Sequence, residues 1–167
     1  MYLPKNFSPE DESKVRSLIE QNGFITLLSF PKNEESYINH LPVIFSSKLG
    51  EEKILIGHMA KQNLQWRHFA ENPKATIIVQ GPHTYITPSW YTSGRDVPTW
   101  NYAVAHLYGK IELVESFNEQ VEILRQLTDY YEKSQVNPWR FELPEDLAKE
   151  STLTSAIISF RFVIERT

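Results

Sequence analysis

Residues 53–80, KILIGHMAKQNLQWRHFAENPKATIIVQ, join two short β-branched runs through a segment of helical composition. We predict a strand over residues 53–58, a helix over 60–72 and a strand over 74–80, because branched residues favour strands and Asn72-Pro73 stops a helix. The segment GHMAKQN at 57–63 therefore lies where extended backbone turns into helix.

Strand patterns continue on both sides of this stretch. We predict strands over residues 24–30, 37–45, 84–87, 102–114 and 156–165, the last with Ile158, Phe160, Phe162 and Ile164 on one side. Pro31, Lys32 and Asn33 predict a turn, and residues 88–101 a loop.

Three further helices are predicted. Ser8-Pro9 begins the first, Gly23 ends it, and its apolar face is Val15, Leu18 and Ile19. Ser116 and Glu119 have capping-box spacing and begin a helix to about residue 133, with a buried face of Val121, Leu124, Leu127 and Tyr131. A short helix is predicted over 144–150, and Leu64, Trp66 and Phe69 are predicted core contacts of the helix at 60–72. Many strands with few helices predict a mainly β (α+β) fold, an antiparallel barrel with helices packed outside.

The amino-acid composition excludes several classes of function. The 167 residues, 41% apolar and 23% charged, fit one domain over 1–167. The absence of Cys excludes disulfides, Cys-ligated zinc and iron–sulfur clusters. The chain has no apolar run of transmembrane length and no signal-peptide pattern at its start, so we expect a cytoplasmic protein without membrane contact. A net charge of −4 does not predict a strongly basic nucleic-acid surface.

The segment GHMAKQN is a candidate phosphate site. The start of a helix offers free N–H groups and a positive partial charge, to which Lys61 and Asn63 can add donors. His58 and Ala60 belong to the same candidate set. The alternative is an ordinary β-to-α turn with a solvated lysine, since neither GxxxxGK[ST] nor GxGxxG occurs.

Two aromatic segments, QGPHTYITPSWY at 80–91 and VPTWNYAVAHLYG at 97–109, are candidates for holding a heterocycle. Gln80, Ser89, Thr99 and Asn101 can hydrogen-bond a ring edge, and the rings that can stack on its face are Trp90, Tyr91, Trp100 and Tyr102. The alternative is that these aromatics belong to the core or to a dimer interface.

Histidines and cations give weaker signals. His58, His68, His83 and His106 lack metal-ligand spacing, so no metal site is predicted, although haem ligation by one His stays open. A modest positive groove for DNA could be lined by Lys61, Arg67, Lys74 and Arg95, with ordinary surface charge as the alternative.

Several motifs together resemble the PaiB family of bacterial FMN-binding negative transcriptional regulators, which are linked to sporulation and degradative enzymes. They are MYLPK with Phe7, NHLP at 39–42, GHMAKQN with Trp66, QGPH through Tyr91, and VPTWNY at 97–102. Family members continue past the last strand with a basic segment, whereas this sequence stops at Thr167, as expected of a short or truncated member.

The resemblance implies an FMN-binding split β-barrel of the pyridoxamine 5′-phosphate oxidase type, a homodimer with two flavin sites between subunits. It places Lys61 and Asn63 at the flavin phosphate and Leu41 and Pro42 beside the ring. Gln80 and the segments 89–91 and 100–102 fall near the ring or the partner subunit.

Three functions remain open on the sequence. The first is an FMN-binding regulator of transcription, which would contact DNA through a surface that the sequence does not reveal. The second is a flavin-dependent oxidoreductase of the same fold, and the third is a haem-binding or haem-degrading protein. Because a flavin carries its own redox chemistry, the lack of a recognisable catalytic acid or base does not separate the first two.

Overall fold

The computed structural model describes residues 12–32, 35–92, 94, 96–143 and 150–167. The described strands are β1 (Phe24–Ser29), β2 (Tyr37–Phe45), β3 (Ile54–Ala60), β4 (Lys74–Ile86), β5 (Thr99–Val114) and β6 (Ile157–Arg166). The described helices are α1 (Glu12–Gln21), α2 (Gln65–Glu71), α3 (Phe117–Glu132) and α4 (Glu150–Ala156), with a short 3₁₀ helix over Pro88–Trp90.

The strands close into a barrel in the order β1-β2-β3-β6-β5-β4, with antiparallel pairing throughout. Alternate side chains fill the barrel, and the predicted one-sided row of β6 is confirmed, since Phe160 and Phe162 are fully buried and Ile158 nearly so. The predicted mainly β, antiparallel barrel with peripheral helices is therefore confirmed.

Helix α1 packs against the barrel through the face that the sequence predicts. Ile19 is buried, and Val15 and Leu18 pack against the barrel core. Leu18 lies so close to Gly81 of β4 that a Cβ there would overlap its side chain. The predicted helix start at Ser8 and Pro9 lies outside the described residues.

Helix α3 lies on the outer side of the barrel; Leu127 is buried as predicted, but Val121, Leu124 and Tyr131 are not. Its buried residues are Gln120, Ile123 and Leu127, so the face is rotated from the one predicted. Ile123 and Leu127 cover an apolar patch of the outer barrel wall, which is Ile44, Ile56 and Val114.

The two ends of α3 also differ from the prediction. Tyr131 stays 41% exposed and donates its hydroxyl to the Val43 carbonyl at 3.2 Å. Ser116 makes no capping hydrogen bond with its side chain, so the predicted capping box is wrong.

The predicted strands at 74–80 and 84–87 are one strand. β4 continues to Ile86 through a register shift between Gln80 and His83, which accommodates Pro82. Its partner β5 begins at Thr99 rather than at 102, so residues 99–101 of the predicted loop are extended.

The strand-to-helix step also differs from the prediction. β3 continues to Ala60, residues 61–64 form a turn, and α2 begins only at Gln65. Phe69 is buried and Trp66 packs against the core as predicted, but Leu64 is half exposed because it lies in the turn.

Two further predictions lie partly outside the described residues: the turn over residues 31–33, because Asn33 is not described, and the short helix over 144–150, of which only Glu150 is described, as the first residue of α4. Within the part of the chain that the structure describes, no helix is long and apolar enough to cross a membrane.

Candidate functional site

Four strands present a sheet face outside the barrel that we call the outer sheet face. Strand pairing aligns its residues in rows across β2, β1, β4 and β5. The rows are Ile38–Leu28–Thr76–Tyr108 and His40–Thr26–Ile78–His106, with the pairs Pro42–Phe24 and Gln80–Val104 beyond them.

This face carries no carboxylate, lysine or guanidinium at any of those twelve positions, although 23% of the chain is charged. Every one of its side chains is exposed or half-buried, with Phe24 71% and Ile38 59% accessible. The exposed apolar side chains on this face make it a candidate interaction or ligand surface.

Beyond the barrel, β4 and β5 continue as a two-stranded extension that we call the aromatic arm, residues 83–86 and 99–102. His83 pairs with Tyr102 and Tyr85 with Trp100, so four rings share one face of the arm. His83 stacks on Trp100 with ring centroids 5.8 Å apart, and Tyr85 lies 6.1 Å from Trp100.

The rings of the arm continue the outer sheet face. Trp100 and Tyr102 share their side of β5 with Val104 and His106, because alternate residues of a strand point to the same side. Trp100 is 53% exposed, so the chain holds a flat aromatic surface open to an incoming ring.

Lys61 forms a cationic corner at the end of β3. Its Nζ lies 4.7 Å from the centroid of the Trp66 ring, whose Nε1 donates to the Lys61 carbonyl at 2.9 Å. The Arg67 guanidinium lies 5.5 Å from the same ring. Two cations thus flank one indole.

Neither cation has a carboxylate partner among the described residues, which is also true of exposed lysines such as Lys48 and Lys74. The described ion pairs are Arg16–Glu20, Lys53–Glu12, Lys110–Glu165, Arg125–Glu122, and Arg161 with Glu51 and Glu119. The cationic corner therefore keeps uncompensated positive charge for an external anion.

A buried amide network ties this corner to β2. Gln65, which is fully buried, accepts from Asn39 Nδ2 at 2.8 Å and donates to Ser29 Oγ at 3.2 Å. Asn63 Oδ1 accepts from the Gln65 N–H at 3.1 Å and lies 3.5 Å from Asn39 Nδ2. The network fixes the turn at 61–64 against the strand that carries His40 and Pro42.

The structure brings part of the predicted site together. Ala60, Lys61 and Asn63 share the corner, while the outer sheet face and the ring face of the arm carry Pro42, Gln80, Trp100 and Tyr102.

Other predicted site residues lie apart from these two groups. Leu41 packs against the barrel core, on the opposite side of β2 from Pro42. Asn101 lies on the arm's other face, opposite Thr84. Ser89 hydrogen-bonds Thr87 near the tip of the arm, where Trp90 and Tyr91 are exposed.

His58 lies on the outer wall of β3 directly opposite Ser159. Its Nδ1 is buried and has no hydrogen-bond partner among the described residues. Burial away from water lowers the pKa of His58 below its ordinary 6.5. A neutral imidazole buried in this way is a poor anion ligand.

The residues present suit a planar ligand with an anionic tail. The corner offers cations and the outer sheet face offers uncharged contact surface, which is the donor set that a ring with a phosphate needs. No group of three His, Asp or Glu suited to a metal ion occurs in the described ranges.

Sequence reasoning missed two parts of this arrangement. Arg67 was considered only for a DNA groove, and its signal was its position next to Trp66. Phe24, Ile38 and His40 were not considered for the site at all. Their signal is the uncharged alternation along β1 and β2, which becomes visible only once the pairing of strands is known.

Comparison with known proteins gives consistent results. Residues 1–166 match the family model described as "Putative FMN-binding domain". The chain is 34% identical over 165 residues to the Bacillus subtilis "Protease synthase and sporulation protein PAI 2", covering 99% of this chain and 77% of that protein.

Two solved structures share the fold. One is an FAD and heme binding protein from Mycobacterium smegmatis, with a TM-score of 0.66 and 16% identity over 92% of this chain and 66% of that one. The other is a Clostridium acetobutylicum protein of the pyridoxinephosphate oxidase family, with a TM-score of 0.54 and 11% identity over 93% of this chain and 86% of that one. They confirm the predicted split-barrel fold.

Proposed function

Because this chain belongs to the PaiB family, whose model is described as a "Putative FMN-binding domain", we propose that it is a homodimeric FMN-binding protein that regulates transcription. The observations that carry the proposal are two cations without a carboxylate partner in the described structure, at the cationic corner, and an uncharged outer sheet face that continues into the aromatic arm.

The outer sheet face is the proposed contact surface between the two subunits of the dimer. The outer sheet face spans about 13 Å along β5, from Val104 to Tyr108, and four strands spaced about 4.8 Å apart give a flat footprint on the order of 250 Å². Side-chain relief and the aromatic arm add to this area, against roughly 800 Å² per partner in a standard interface. A face without charge can meet its own copy across a two-fold axis without placing like charges together.

The flavin phosphate is assigned to the cationic corner. The Lys61 ammonium and the Arg67 guanidinium donate charge-assisted hydrogen bonds, and the amide network of Gln65 holds the corner in place. Asn63 already commits its oxygen to the start of α2, which leaves its amide N–H groups for a phosphate oxygen.

The ring is assigned to the space between the outer sheet face and the partner. Trp100 and Tyr102 offer stacking surfaces, and Gln80 offers an exposed amide for the ring edge. Bound flavin supplies two-electron redox chemistry, and the chain's own residues bind, orient and shield it from water.

The regulatory output is proposed from the relative whose name refers to protease synthesis and sporulation. Gel retardation of promoter DNA by the FMN-loaded protein, weakening as salt rises, is the expected result. An absence of retardation at low salt, together with steady oxidation of NADH or NADPH by the flavin-loaded protein, would instead identify an oxidoreductase.

The dimer and the flavin are tested together by one pair of variants. Ile38→Asp places a charge on the outer sheet face, and Leu49→Asp places the same charge on a fully exposed turn residue away from it. After gel filtration with FMN, we expect Leu49→Asp and the wild type to keep the mass of a dimer and flavin absorbance, and Ile38→Asp to lose both. A wild-type monomer that retains FMN would refute the shared site, and a Soret band without flavin bands would indicate haem instead.

A further inference from the structure

Three histidines occupy the outer sheet face and its arm. His40 and His106 stand at the two ends of one row, separated by Thr26 and Ile78. His83 stacks on Trp100 in the arm. An imidazole is the side chain that ordinarily gains charge between pH 5 and 8.

Among the described residues, the side chains paired with these imidazoles carry no negative charge. His40 meets Phe24 and Thr26 of β1, with Thr26 Oγ1 3.1 Å from His40 Nδ1. His106 pairs with Ile78 of β4. His83 faces Trp100 and Tyr102 of β5, and the other phenol on that side of the arm is Tyr85.

Charged groups appear only around the margin of the described face. Arg166 of β6 lies over the Tyr108 ring at 3.9 Å, and Lys110 pairs with Glu165 beside it. Lys74 lies at the start of β4, opposite Lys110, and Asp96 lies in the segment before β5. The nearest fixed charges at the barrel end of the face are thus mainly positive.

We infer that the homodimer dissociates on mild acidification, because protonation of His40, His83 and His106 places unpaired positive charge in an otherwise uncharged interface. This inference rests on the proposed dimer across the outer sheet face. Because the two subunits are related by symmetry, each protonated histidine adds two positive charges to the interface of one dimer. Dimer formation therefore depends on pH, and so does any binding site that is built from both subunits.

The expected size follows from proton linkage. A side chain that binds a proton in the free subunit but not in the dimer weakens association by up to about 10-fold for each unit by which the pH falls. One such histidine per subunit gives two per dimer, and therefore up to about a 100-fold rise in the dimer dissociation constant for each such unit.

The experiment is analytical ultracentrifugation of the full chain at pH 7.5 and 5.5 over a concentration series, with circular dichroism confirming that the protein stays folded at both values. We expect the dissociation constant to rise about 100-fold or more at pH 5.5. His68→Gln, on α2 and away from the face, should keep this response, and a triple variant with His40→Gln, His83→Gln and His106→Gln should lose it.

Each other outcome is decisive. A folded dimer with the same dissociation constant at both pH values overturns the inference and leaves the dimer standing. A monomer at pH 7.5 overturns the proposed dimer itself. If the triple variant fails to fold, the three single variants are measured instead, and an unchanged pH response in all three overturns the inference.

Discussion

Replacing Lys61 by alanine should weaken FMN binding by about 10- to 100-fold. The Lys61 ammonium is half-buried beside Trp66 and lacks a carboxylate partner in the described structure, so a bound phosphate would be its principal counter-charge. A hydrogen bond between charged groups contributes about 1.5–3 kcal/mol, and each 1.4 kcal/mol is a tenfold change in dissociation constant.

The assay is fluorescence titration of FMN and, in parallel, of riboflavin, which has the same ring without the phosphate. The two ligands separate the corner from the ring surface. We expect Lys61→Ala to reduce FMN affinity while leaving riboflavin affinity within about twofold, so that the wild-type preference for FMN largely disappears. Lys48→Ala, an exposed lysine in the turn between β2 and β3, is the matched control and should change neither titration.

Two results would refute this assignment. Equal losses for FMN and riboflavin would mean that Lys61 supports the ring or the fold rather than the phosphate. Unchanged FMN affinity in a folded dimeric variant would leave Lys61 as an ordinary solvated residue of the turn, the alternative that the sequence also allowed.

Two more changes probe the structure around the site. Gln65→Met should lower the free energy of unfolding by about 2–4 kcal/mol in chemical denaturation, because Asn39 and Ser29 lose their buried hydrogen-bond partner. Gln62→Met, at an exposed position, is the control and should be nearly neutral. Equal effects of the two substitutions would contradict the proposed stabilising role of the amide network. Burial lowers the pKa of His58, so the unfolded chain takes up its proton first as pH falls below about 6.5, and His58→Asn should lose less unfolding free energy than the wild type between pH 7.5 and 5.5. Identical losses in the two proteins would show that His58 does not control this acid sensitivity.

The sequence predicts the barrel well where one side of a strand is buried. Phe160 and Phe162 alternate with polar neighbours, and that period of two is sufficient to assign both the strand and its inner side. Helix α1 is similar, because Ile19 and its neighbours make one narrow apolar stripe. These elements need no knowledge of distant residues.

The sequence-based predictions are wrong where contacts with residues distant in the chain determine the local structure. The arm was predicted as a short strand and a loop, because a two-stranded ribbon outside the barrel has no buried side to produce a pattern, and pairing of residues 83–86 with 99–102 holds it extended. Helix α3 has apolar residues on more than one side, and only contact with Ile44 and Ile56 selects the stripe of Ile123 and Leu127. Its phase could not follow from its own composition.

The candidate site also has one part that a local motif predicts and one part that depends on the pairing of distant strands. Lys61 and Asn63 are adjacent in the chain, so a local motif suffices to predict the corner. The outer sheet face is assembled from residues 24–108 in four strands, and its uncharged character exists only after those strands pair. Leu41 shows the limit of the resemblance, because it shares a motif with Pro42 but lies on the other side of the strand.

The corner and the outer sheet face impose a common thermodynamic behaviour on the proposed protein. If the phosphate is held within one subunit and the ring between two, a single subunit offers only the cationic part of the site, which is worth a few kcal/mol at most. The dimer adds the ring contacts, so FMN binds the dimer more tightly and stabilises it by mass action. By the reciprocity of linked equilibria, the factor by which dimer formation strengthens flavin binding equals the factor by which flavin strengthens the dimer. Charge introduced on the outer sheet face, by substitution or by protonation of its histidines, therefore lowers the population of the dimer that binds flavin tightly.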